Sequence, residues 1–235
     1  MMNWKFTSLA LVTLGLLSWG LYAALVGAPT EATMGDVQRI FYYHVPSAWT
    51  AFLCFFANFV ASILYLAKRN PKTDAFAVTT AEMGVVFCTI VLITGPLWAK
   101  PVWGIWWTWD ARLTSTLVLW LIYVSYLVLR RYSGNNPVLA AALAVFGAVD
   151  VLFVYMSIRW FRTQHPAPVI GGGEGSGIDP VMWHALLINF AAFLALAALV
   201  IAVRYRLERL RQQVEEAHAM KAIQDSPASV ARSSR

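Results

Sequence analysis

Four tryptophans stand within seven residues in Trp103-Gly-Ile-Trp-Trp-Thr-Trp109, and Asp110 and Arg112 follow at once. An indole is large, flat and rigid, with one N–H to satisfy. Four together make either an interfacial belt or a wall for a large flat ligand. Two of the four histidines bracket this stretch: His44 in Phe41-Tyr-Tyr-His-Val-Pro46 and His165 in Arg162-Thr-Gln-His-Pro166. Two imidazoles at one level of a membrane can ligate a single iron from opposite sides. The same pair also fits two loop histidines that are hydrogen-bonded locally.

Haem is flat, apolar on its faces and anionic at its propionates. Trp103, Trp106, Trp107 and Trp109 offer surface for the faces. Arg39, Lys100, Arg112 and Arg162 offer cations for the propionates, and Arg can pair a carboxylate bidentately. Asp110 fits the cap of a helix starting near Ala111, which would turn Arg112 toward the loop. As a general base Asp110 would need a nucleophile and a partner acid, and the sequence offers neither.

The elements that must position these residues are apolar and long. The chain has 235 residues, 59% of them hydrophobic and only 13% charged, against roughly 25% charged in a soluble domain. Six apolar runs stand out: Phe6–Val26, Trp49–Ala67, Phe76–Trp98, Leu113–Leu129, Val138–Trp160 and Val181–Val203. Each approaches the ~20 residues that span a bilayer as a helix. The expected fold is therefore all-α: a polytopic membrane protein of six transmembrane helices. The first run follows Lys5 like a signal peptide, yet its length suits a retained helix better.

Net charge is +6, and its placement reports topology. Lys68, Arg69 and Lys72, then Arg130 and Arg131, then Arg204, Arg206, Arg209 and Arg211 fall on one side if the helices alternate, joined by Lys5. The positive-inside bias then puts both termini in the cytoplasm, and no nucleic-acid partner is needed to explain the charge. Residues 1–204 form the membrane domain, with the outer tryptophan-rich loop at 99–115. Residues 205–235 form a cytoplasmic tail that starts helical, Arg211 standing four residues before Glu215, and ends in a polar stretch read as disordered.

Other features carry less. Cys54 and Cys88 lie in apolar runs as small hydrophobes, and no Cys-x-x-Cys occurs. Gly171-Gly-Gly-Glu-Gly-Ser-Gly177 lacks the Lys and the preceding strand of a phosphate loop. His184 is a weaker third ligand candidate, Glu82 reads as interfacial, and His218 as a solvated tail residue. Asp150 is an intramembrane carboxylate, a functional-site hypothesis by default. Asn58, Asn189 and Ser157 are its candidate partners.

The stretch Lys100-Pro-Val-Trp-Gly-Ile-Trp-Trp-Thr-Trp-Asp-Ala-Arg-Leu-Thr-Ser115 resembles the tryptophan-rich WWD signature of haem-handling membrane proteins, and Tyr43-His-Val-Pro46 resembles the C protein of the cytochrome c maturation system (CcmC). The resemblance covers all six runs. It implies a haem-delivery subunit for c-type cytochrome biogenesis, not an enzyme, in the bacterial cytoplasmic (inner) membrane. It implies non-covalent haem b at the outer face, on the tryptophan loop, with His44 and His165 as axial ligands to the haem iron. The implied partners are the ATPase and membrane subunits of an ABC transporter, a small single-helix accessory protein and a membrane-anchored periplasmic haem chaperone.

Two other classes compete. An electron-transfer cytochrome or quinone enzyme would place paired histidines mid-helix, whereas these stand at helix ends. A scaffold with a tryptophan belt would spread its indoles over many helix ends rather than one loop.

Overall fold

The computed structural model describes residues 4–132, 136–163, 165 and 177–224. Most of the glycine loop 171–177 and the end of the tail lie outside them. The described residues are all helical in architecture, and six helices are long and apolar enough to cross a membrane. They are α1 (Trp4–Tyr22), α2 (Phe41–Lys68), α3 (Pro71–Trp103), α4 (Ala111–Tyr132), α5 (Pro137–Trp160) and α6 (Pro180–Gln224). A π-helical turn, Ala23–Gly27, ends α1, and a 3-10 turn, Asp36–Ile40, leads into α2.

Of the boundaries that differ from those read off hydropathy, two bear on the site. α2 starts at Phe41 rather than Trp49, so His44 lies in its first turn. Pro46 stands inside this helix at its sixth residue, where it removes one intrahelical bond to the Tyr42 carbonyl, a cost that packing offsets. α3 runs on to Trp103 through Pro96 and Pro101. It stops at Gly104, whose φ of 77° is the left-handed conformation that glycine adopts without strain. Lys100 Nζ donates to the Gly104 carbonyl at 2.9 Å and seals the turn.

α2 packs against α3, α5 and α6, while α1 lies against α6. The Phe55 and Tyr123 rings stack with centroids 3.9 Å apart, joining α2 to α4. Gly84 of α3 is the notch that admits Phe55: a Cβ there would lie 2.3 Å from the ring. Gly84→Ala should therefore cost about 1–3 kcal/mol, as overpacked cores do. A lowered melting temperature in detergent, with Gly15→Ala as the control in open space, checks it.

Several polar groups inside the bundle bond across helices. Asn189 Nδ2 donates to the Gly20 carbonyl at 3.0 Å, tying α6 to α1. Asn58 Nδ2 donates to the Ala77 carbonyl at 2.7 Å, and Trp120 Nε1 to Thr89 Oγ1 at 2.8 Å. At the basic end, Arg130 grips Asp74 bidentately at 2.6 and 2.8 Å. Gln212 of α6 donates to the same carboxylate at 3.1 Å, and Glu208 lies 4.0 Å from Arg130. Glu82, expected to be merely interfacial, is clasped by Arg204 through two guanidinium nitrogens. α6 continues as one helix well past Val203, and Arg211 pairs Glu215 at 2.9 Å along it.

Candidate functional site

At the end of the bundle opposite the basic clusters, α2, α3 and α4 diverge around a cavity. The empty space between these helices and the loop is about 970 Å³, the open mouth included. Phe55, Cys88 and Leu119 close its depth; Trp103, Trp106 and Trp107 stand at its mouth. His44, His165 and Arg112 also line it. Residues 121 positions apart in the chain thus share one wall.

His44 is 8% exposed. Its Nδ1 is 2.8 Å from Thr94 Oγ1 on α3, and Trp98 meets its ring edge-on with centroids 5.9 Å apart. His165 follows the end of α5, where Thr163 Oγ1 donates to its carbonyl at 3.3 Å. Arg112 leaves the first turn of α4 and donates from Nη1 to the Val154 carbonyl of α5. This bridge carries its guanidinium along the cavity wall.

The tryptophans divide. Trp109 is 77% exposed and faces a shallow notch between α4 and α5 instead of the cavity. Its ring meets that of Trp107 edge-on, centroids 5.8 Å apart. Asp110 sits at the same notch and caps α4: Oδ1 accepts from the Arg112 and Leu113 backbone N–H groups, each at 2.9 Å. Thr108 Oγ1 donates to its other oxygen at 2.9 Å. This cap turns the chain from the tryptophan loop into α4.

Trp98 was not among the residues singled out by sequence, because it ends an apolar run. The signal for it was helical spacing: Thr94 and Trp98 stand four apart on one face. Arg39 lies elsewhere, donating to the Ala24 and Ala28 carbonyls at 2.7 and 3.2 Å and pinning the 3-10 turn to the end of α1. His184 packs edge-on against Trp19, centroids 6.1 Å apart, and is not a cavity residue. None of the three expected partners reaches Asp150. Asn58 and Asn189 bond backbone carbonyls, Ser157 donates to Val154, and Asp150 Oδ2 is buried without a partner.

The cavity suits a flat apolar ligand with polar edges. Its lining is mostly aromatic and aliphatic, with two imidazoles for a metal and one guanidinium for an anion. The indole N–H groups of Trp98 and Trp107 are buried without acceptors. An orphaned buried donor is costly unless a ligand supplies the acceptor.

Fold and cavity together define a polytopic helical membrane protein with an aromatic-lined cavity at one end. A family model described as heme exporter protein C matches residues 1–220. The chain is 36% identical over 218 residues to the heme exporter protein C of Bradyrhizobium diazoefficiens, covering 91% of this chain and 82% of that one. It is 32% identical over 225 residues to the heme exporter protein C of Escherichia coli K12, covering 91% and 89%. A putative cytochrome c biosynthesis ccmC-like mitochondrial protein of Marchantia polymorpha is 33% identical over 184 residues, covering 78% and 79%. The chain belongs to the heme exporter protein C family. It is thus a multi-pass membrane component of haem handling in cytochrome c biogenesis, a transport component rather than an enzyme.

Proposed function

We propose that the cavity holds haem b non-covalently at the periplasmic face of the inner membrane and surrenders it to a membrane-anchored periplasmic haem chaperone. The observation that carries this reading is the convergence of His44, His165, Arg112 and four tryptophans, Trp98, Trp103, Trp106 and Trp107, on one cavity. His44 and His165 serve as axial ligands to the iron. Trp103, Trp106 and Trp107 cover the ring, and Arg112 pairs a propionate. Trp109 and Asp110 act at the rim: the exposed indole extends the platform toward the chaperone, and the capping carboxylate holds the loop's exit.

The basic ends of the helices orient the molecule with both termini in the cytoplasm. Energy comes from the ATPase and membrane subunits of an ABC transporter, with a small single-helix protein as accessory. Access matters as much as affinity, because a delivery protein must open one face of its ligand. Trp106, 54% exposed at the mouth, leaves that face approachable.

The test is purification of the tagged chain from membranes, with its complex, in mild detergent. Acid–acetone extraction of haem b, together with the transporter subunits and transfer to added apo-chaperone, is the expected result. Stable haem that stays with the protein and turns over with quinone would favour the electron-transfer reading instead.

A further inference from the structure

We propose that Thr94 is a positioning residue: it sets the tautomer of His44 and keeps that ligand weak enough to be exchanged. The inference rests on the haem-binding reading above and deepens it.

Thr94 Oγ1 lies 2.7 Å from the Ile90 carbonyl one turn back on α3 and donates its single proton there. The same oxygen is 2.8 Å from His44 Nδ1. With its proton committed, it meets the imidazole as an acceptor. Nδ1 therefore carries the hydrogen, and Nε2 keeps the lone pair needed to ligate a metal. The ring is held from two further sides. Trp98 abuts it edge-on, and Gly95 lies close beneath, its Cβ position 3.5 Å from His44 Cε1.

The kind of acceptor matters as well as its place. A metal-ligating histidine commonly donates its other N–H to a carboxylate or carbonyl, which orients it and raises its basicity. A hydroxyl already donating to a helix carbonyl orients the ring yet adds no negative charge. His44 is thus aimed like a permanent ligand but is a softer electron donor. That combination fits a site that must both capture and release.

The test uses the full chain in detergent. In the haem-free protein, 15N-histidine NMR should show His44 protonated at Nδ1. Thr94→Val should lose that signature, and Thr94→Ser should keep it. With haem loaded, Thr94→Val should release it roughly 10–100-fold faster to an apo-globin scavenger, the range for losing such a partner, while Thr94→Ser stays near wild type. Thr94→Asp should release more slowly and lower the haem midpoint potential, with Thr94→Asn giving an intermediate rate should the aspartate not fold. Nε2 protonation in the wild type, or Thr94→Val matching wild type in release and potential, would overturn the proposal. If His44→Ala removes haem while Thr94→Val does nothing, only this inference fails. If His44→Ala changes nothing, the binding reading falls and takes this inference with it.

Discussion

His44→Ala is expected to strip most co-purifying haem from the protein while leaving the fold intact. His44 supplies a ring nitrogen to a cavity whose other lining is almost wholly apolar. No other histidine on the helical walls can replace it, since His184 is turned to Trp19. The loss should weaken retention by roughly 100-fold, or about 2.7 kcal/mol. The fold should survive because Thr94 Oγ1 still donates to the Ile90 carbonyl when the imidazole is gone. The truncated ring leaves room that free imidazole can enter, so added imidazole should restore part of the haem. The check is Soret absorbance per mole of protein, with and without imidazole, beside a melting curve. Wild-type absorbance in the variant would remove His44 from the ligand set.

Arg130→Leu is the second large effect, and it falls on stability rather than on haem. Both members of the Arg130–Asp74 pair are buried, with side chains 8% exposed, and the contact is bidentate. Breaking a buried pair by removing one partner costs about 3–5 kcal/mol, because the remaining charge is stranded. Here Glu208 is stranded as well, apart from its 3.8 Å approach to Arg211. The Asp74→Leu/Arg130→Leu double variant should recover much of the loss, since burial of two apolar side chains replaces the desolvated ions. Thermal unfolding in detergent separates the cases: a large drop for the single variant and a smaller one for the double. Equal drops would mean that the pair is not the relevant coupling. Haem content of the folded fraction should not change, because the pair lies at the opposite end of the bundle from the cavity.

The number of helices was legible in hydropathy because crossing hydrocarbon demands long apolar runs. The ends of α5 were legible as well, but those of α2 and α3 at the cavity were not. The start of α2 carries Tyr42, Tyr43, His44 and Pro46, which lower hydropathy and signal a break, yet the helix runs through them. Aromatic and polar residues are at home where a helix leaves the bilayer, and packing overrides the local cost of proline. The last turns of α3 hide in the same way behind Pro96 and Pro101.

The site was partly legible. His44, His165, Arg112 and three of the four loop tryptophans do meet at one cavity. Trp109 could not be separated from its neighbours by type, because its direction depends on the Asp110 cap that turns the chain. Trp98 and Thr94 were hidden in a transmembrane run, where an aromatic and a threonine look like ordinary packing. The cavity's descent between helices to Phe55 and Leu119 was not legible either. Three-dimensional divergence of helix ends leaves no mark on a linear pattern.

In the proposed site two imidazoles, one from the first turn of α2 and one from the segment after α5, hold one iron. Absorption and electron paramagnetic resonance spectra of ferric haem on the purified protein test it most directly. A low-spin, bis-imidazole spectrum is expected in the wild type and should be lost in both His44→Ala and His165→Ala. A spectrum unchanged in either variant would contradict it.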